Sequence, residues 1–136
     1  MLIGLTKVET KGLAKGIIGI PRTEDINELA DLYSSSAVFV NPTYVDNFPT
    51  TNIEALACGT PVITYNTGGS PEAIDHNTGI VIEKGNIEKL AEAIEEITSR
   101  GKNHYHKTCR ERAEKYYDKN DRYLDYLELY KRLISI

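Results

Sequence analysis

A chain of 136 residues, 40% hydrophobic and 26% charged, is long enough for one domain with its own core and has the composition of an ordinary globular protein. Its net charge of −4, with lysines and arginines scattered, excludes an electrostatic footprint for nucleic acid. No apolar run approaches the roughly 20 residues of a membrane-spanning helix, and MLIGLTKVET lacks the basic start and apolar centre of a signal peptide. Taken in chain order, LIGLT (2–6) and GIIGI (16–20) read as short buried strands, the second closed by Pro21. Thr23 then caps a helix with Glu24 and Asp25 in its first turn and Ile26, Leu29, Ala30 and Tyr33 at helical spacing. AVFVN (37–41) is a buried strand, 42–50 a loop, TNIEALA (51–57) a helix stopped by Gly59, and PVITY (61–65) another strand. Ser70 and Pro71 read as cap and first position of a helix. TGIVIE (78–83) is the last strand.

The remainder is helical. Ile87, Leu90, Ala91, Ile94 and Ile97 form a stripe behind Asn86, and Gly101 breaks the chain. A helix rich in Lys, Arg and Glu follows over about 104–117, then one over about 121–134 with Tyr123, Tyr126, Leu127, Tyr130, Leu133 and Ile134 as its stripe. Continuously apolar strands alternating with helices predict an α/β fold, a parallel sheet with helices on both faces, within a single domain over 1–136. Such sheets bind ligands beyond the carboxyl ends of their strands. The loops 42–50 and 66–70 leave two such ends and should line one crevice.

The chemistry-bearing residues cluster there. Thr51-Asn52-Ile53-Glu54 is a Thr-x-x-Glu capping box, in which Glu54 serves only its own helix. Alternatively Glu54 faces the crevice, where an acceptor-only carboxylate suits a vicinal diol such as ribose. Asp46 and Asn47 are either turn formers or ligand contacts. Phe48 needs a place to pack, which implies a loop folded back against the domain. Pro49, Thr50 and Thr51 lead into a helix N-terminus, a general anion seat. Gly68 and Gly69, with Ser70, Pro71 and Glu72, form either a simple turn or a segment where backbone approaches a ligand closely. There is no GxGxxG, no GxxxxGK[ST], no GxSxG and no Asp-x-Asp. His76 reads as a surface residue. Cys58 and Cys109 have neither CxxC nor zinc spacing and fit small reduced thiols of a cytoplasmic protein.

As a whole, NPTYVDNFPTTNIEALACGTPVITYNTGGSPEAI (41–74) resembles the donor-binding segment of family-4 glycosyltransferases, retaining enzymes of the two-domain GT-B fold. The matching features are Asp46, Glu54-Ala55-Leu56-Ala57-Cys58-Gly59-Thr60-Pro61-Val62, Gly68-Gly69 and Glu72. INELADLYSSSAVFVNPTY (26–44) and YLELYKRLI (126–134) are similar to the helix and strand before it and to the closing helix. The resemblance implies a Rossmann-like half of a GT-B fold that takes a nucleotide-sugar donor without a metal. Glu54 would hold the ribose diol, Asp46, Asn47, Phe48 and Pro49 the sugar hydroxyls, and Thr50 and Thr51 would lie near the diphosphate. Polysaccharide or glycolipid assembly is the implied setting, with a saccharide or lipid-linked acceptor on the other domain.

The family's first acid is more often Glu than Asp, which puts the sugar contact of Asp46 in question. The resemblance also implies a chain that lacks the domain's first strand and helix, with their basic diphosphate residues, and lacks the acceptor domain. Such a chain should be inactive alone and prone to self-association through its open sheet. Two other readings stay open: a nucleotide-sugar 2-epimerase, and a Rossmann-like binding module without chemistry.

Overall fold

The structure, a computed structural model, describes residues 1–134; Ser135 and Ile136 lie outside the described residues. The chain forms two compact units, Met1–Leu32 and Tyr33–Ile136. In the first, β1 (Leu2–Leu5) and β2 (Gly19–Pro21) pair in parallel, with Leu2 opposite Gly19 and Ile3 opposite Ile20. The register slips between Ile3 and Leu5, where Gly4 has φ +88°. A 3-10 turn over Glu9–Gly12 joins them, and the Glu9 carboxylate accepts both the amide and the hydroxyl of Thr6 at 2.7 Å. Against expectation β1 is not buried: Leu2 and Ile3 remain 45% and 37% exposed. The apolar run is real, but among the described residues the only strand paired with it is the three-residue β2.

Helix α1 covers Ile26–Ser35. It starts later than the Thr23 cap predicted. The Asp25 carboxylate accepts the Asn27 amide at 2.8 Å, and Thr23 Oγ1 accepts the Asp25 amide at 3.1 Å. Asp25 thus does the local work assigned to Thr23, and Thr23 spends its proton on Glu28.

The second unit is built on a parallel sheet in the order β3 (Phe39–Asn41), β4 (Val62–Tyr65), β5 (Gly79–Ile82). Phe39 lies opposite Val62 and Asn41 opposite Thr64; Val62 lies opposite Gly79 and Tyr65 opposite Ile82. Every residue of β4 is buried, which is why its sequence is apolar without alternation. Gly79 is fixed by close packing, since a methyl group there would lie 1.9 Å from the Val62 carbonyl oxygen.

The helices of this unit are α2 (Thr50–Ala57), α3 (Ile87–Arg100), α4 (Lys102–Tyr117) and α5 (Lys119–Ile134), of which α2 and α3 pack on the sheet. Asn86 caps α3 as its position predicts, its Oδ1 accepting the Lys89 amide at 2.9 Å. The buried face of α3 carries Ala93 and Ile97, while Ile87 and Ala91 of the predicted stripe are exposed. Gly101, at φ +78°, makes the predicted break. Helix α4 is rich in Lys, Arg and Glu, yet it buries Tyr105, Cys109 and Ala113, spaced by four on one face, and packs on α2. Behind α2, Gly59 takes φ +69°, and the His106 ring occupies the space a side chain there would need. The apolar stripe of α5 forms as a helix but is exposed along its length.

Burial, with a smaller effect of the Asp75 charge, pushes the Cys109 thiol up to about 12 from the usual 9.0. A raised acid keeps its proton in the folded state where the unfolded chain has lost it. The associated stability is therefore complete below pH about 9 and falls as pH rises towards 12. Burial, aided by the Glu54 charge, raises the Tyr33 phenol and acts in the same direction. Native alkylation with iodoacetamide at pH 8, read by mass spectrometry, should modify half-buried Cys58 and spare Cys109 until the chain is denatured. Equal native labelling of both would contradict this packing.

Candidate functional site

The loops that follow β3 and β4 leave adjacent parallel strands at one end of the sheet and touch each other there. Thr67 Oγ1 donates to the Tyr44 carbonyl at 2.9 Å, and the Tyr44 and Tyr65 rings meet edge to face at 5.6 Å. Gly68 has φ +49°, and a methyl group on it would lie 1.9 Å from the Asp46 carbonyl oxygen; one on Gly69 would lie 2.1 Å from that of Asn47. These glycines do permit close backbone approach, and the partner they admit is the 46–47 backbone.

A closed ring of polar side chains and the Asn41 carbonyl sits beneath. Asn52, fully buried on α2, accepts from Asn41 Nδ2 at 2.9 Å and donates to the Ser70 carbonyl and hydroxyl at 3.2 and 3.3 Å. Thr64 donates to the Asn41 carbonyl at 3.0 Å, so the 2.5 Å contact between Thr64 and Ser70 hydroxyls has Ser70 as donor. The ring ties the end of β3, α2, β4 and the 3-10 turn Ser70–Ala73 to one another. No buried side-chain nitrogen or oxygen among the described residues is left without a partner. Ser70 is thus a buried crosslink rather than the predicted cap; Gly69 holds the cap position.

Helix α4 braces both loops from behind. The Phe48 ring packs at 6.1 Å from that of Tyr117, the contact its loop-tip position demanded. Tyr117 also donates to the Glu72 carbonyl at 3.4 Å. Arg112 donates to the carbonyls of Ala73 and Glu72 at 2.6 and 3.1 Å and to the Asp75 carboxylate at 2.7 Å, while lying over the Tyr116 ring at 5.2 Å.

The side chains singled out in the sequence fall as follows. Asp46 Oδ1 accepts the Phe48 amide at 3.0 Å, the turn chemistry held open for it. Asn47 is exposed and Pro49 buried. Thr50 and Thr51 are exposed at the start of α2, where Pro49 takes the cap position and no side chain caps the helix. The capping box does not form. Glu54 is half-buried, and its Oε2 accepts the Tyr33 hydroxyl at 3.1 Å instead. By helical spacing Glu54 shares a face with Thr50 and Thr51. Glu72 is exposed, its Oε1 near Gly69. A separate groove lined by Asp75, His76, Val81, Glu96 and Arg100 lies at the amino end of β5, the opposite end of the sheet. Among the described residues no three His, Cys, Asp or Glu side chains gather into a metal site, and no helix is long and apolar enough to cross a membrane. Sequence reasoning missed Asn41, Asn52, Thr64, Arg112 and Tyr117; the four-residue spacing of Tyr105, Cys109 and Ala113 was the available signal that α4 has an inward face.

A parallel α/β sheet flanked by helices, with two interlocked loops and an uncapped helix N-terminus at its carboxyl edge, is the Rossmann-like fold class the sequence predicts. Residues 6–116 match the family described as "Glycosyl transferases group 1", and the chain belongs to that family. It is 40% identical over 80 residues to a D-inositol 3-phosphate glycosyltransferase of Streptomyces bingchenggensis, covering 58% of this chain and 17% of that protein. It is 37% identical over 73 residues to the capsular polysaccharide biosynthesis glycosyltransferase CapM of Staphylococcus aureus, covering 53% and 19%. Among solved structures, sucrose-phosphate synthase from Thermosynechococcus elongatus, a GT-B protein, superposes with a TM-score of 0.81 at 30% identity, over 94% of this chain and 33% of that one. The chain therefore spans under a fifth of these two curated relatives and a third of the solved chain.

The buried ring yields a contrast between neighbours on α2. Asn52→Leu should cost about 2–4 kcal/mol by orphaning groups of Asn41 and Ser70. Thr51→Ala, which the capping box would have made costly, should stay within about 0.5 kcal/mol. Urea denaturation of both variants checks this; similar losses for the two would contradict it.

Proposed function

We propose that this chain forms the donor-binding part of a glycosyltransferase that moves a sugar, with retention, from a nucleoside diphosphate sugar to a saccharide or lipid-linked acceptor. The observation that carries the proposal is a convergence. In a chain of the glycosyl transferase group 1 family, the 46–49 loop, the uncapped start of α2 and the 68–72 loop meet at one sheet edge. On this reading Glu54 receives the ribose hydroxyls on its carboxylate. Asp46 and the loop amides meet the sugar, and the first-turn amides of Thr50 and Thr51 meet the diphosphate, where the helix dipole favours negative charge. Asp46 accepts the Phe48 amide on Oδ1, which occupies one of the carboxylate's roughly four lone-pair sites and leaves others for a sugar hydroxyl.

The relatives' names add support. They speak of inositol 3-phosphate, a capsular polysaccharide and sucrose phosphate, three different products or acceptors, and each match covers more than half of this chain. A segment common to transferases with different acceptors fits the part of the reaction they share, which is holding the donor.

Calorimetric titration of the chain with UDP, GDP and ADP and their glucose conjugates tests the proposal. Glu54→Gln should weaken the nucleotide that binds about tenfold, equivalent to ~1.4 kcal/mol, with EDTA making no difference. Affinity unchanged by Glu54→Gln would leave a binding module of another kind. The acceptor and the transfer step belong to assays on the longer parent enzyme.

A further inference from the structure

We infer that Tyr33 is a positioning residue, which fixes the Glu54 carboxylate so that it meets a ribose diol preformed. The inference rests on the donor-site reading of Glu54. It starts from the single proton of the Tyr33 hydroxyl, which is given to Glu54 Oε2 at 3.1 Å. The two residues are 21 positions apart, so the bond is set by the tertiary fold rather than by local helix grammar.

Tyr33 is well placed to act as a fixed post. It is 5% exposed, and its ring meets the Phe39 ring edge to face at 5.3 Å. Its backbone is held as firmly. The Tyr33 carbonyl accepts from Thr60 Oγ1 at 2.6 Å and from Lys102 Nζ at 3.3 Å, and the same ammonium donates to the Ser34 carbonyl at 2.5 Å. The ring therefore has little freedom, and its hydroxyl presents one direction to Glu54. A glutamate on a helix surface otherwise samples several rotamers, which a ligand must quench on binding.

The hydroxyl also leaves the carboxylate usable. A carboxylate offers about four lone-pair sites over two oxygens, and the phenol occupies one. Two neighbouring hydroxyls of a ribose can still both donate to it. For packing alone a phenylalanine would serve, because the Phe39 contact is made by the ring. The hydroxyl is needed only where Glu54 has to be held. Burial, with the adjacent carboxylate, raises the phenol's pKa, so it remains a donor throughout the neutral range.

The test is calorimetric titration of the 136-residue chain and its Tyr33→Phe and Glu54→Gln variants with UDP, GDP and ADP, and with the 2′-deoxy form of each. Tyr33→Phe should weaken the ribonucleotide about fivefold and shift the 2′-deoxy nucleotide less than twofold, because the effect passes through the diol. A thermal melt of the variant confirms that it folds. Equal loss for ribo and deoxy forms would reduce Tyr33 to a general packing residue and overturn the inference, as would no loss at all. If Glu54→Gln weakens the ribonucleotide while Tyr33→Phe does not, the Tyr33 assignment fails alone. If Glu54→Gln has no effect, or none of the nucleotides binds, the donor-site reading fails and this inference fails with it.

Discussion

The candidate site depends on a ring of hydrogen bonds that joins three buried polar side chains to the side chain and carbonyl of half-buried Asn41. Asn41, Asn52, Thr64 and Ser70 come from the end of a strand, a helix, the next strand and a 3-10 turn, and each supplies a bond that another needs. Buried polar groups cost free energy unless they are paired, and a ring in which all are paired specifies one arrangement of the elements that bear them. The ring sits where β3 and β4 give way to their loops. It thus sets the depth of the 66–70 loop against α2, and through α2 the place of Glu54, two residues on from Asn52.

Helix α4 acts on the same loops from the far side. Arg112 gathers two carbonyls and one carboxylate of the 72–75 segment with a planar fork, a geometry that a lysine would not reproduce. Tyr117 touches both loops, one through the Phe48 ring and one through the Glu72 carbonyl. The close fit of His106 over Gly59 keys α4 onto the turn after α2. Ring and brace together leave the 46–49 loop held at its glycine contacts and at Phe48, with Asn47 outward.

Much of this was legible in the sequence, and the rest was hidden for identifiable reasons. The strands of the second unit and the two crevice loops follow from unbroken apolar runs that end in Asn-Pro and in a Gly pair. Such signals are local, as is the Asn86 cap. The errors are places where a local grammar was available and a distant partner displaced it. Thr51 and Glu54 spell a capping box, but Tyr33, across the fold, takes the carboxylate. Ser70 before Pro71 spells a helix cap, but Asn52 and Thr64 take its hydroxyl. Asn52 reads as an ordinary polar helix residue until its partners at positions 41 and 70 are seen. On α4 the many charged residues mask an inward face whose buried members are only three residues. LIGLT reads as buried because apolar runs usually are, and periodicity carries no information about what covers them.

The ring also constrains how this sequence can diverge. Exchange of any one member strands a hydrogen-bonding group inside the protein, so acceptable changes at positions 41, 52, 64 and 70 must arrive together or as compensated pairs. Thr50 and Thr51, exposed on the same helix within two residues of Asn52, carry no such tie. Helix α2 therefore joins two evolutionary regimes within one turn: an interior that is inherited as a block, and a rim that is open to revision one residue at a time.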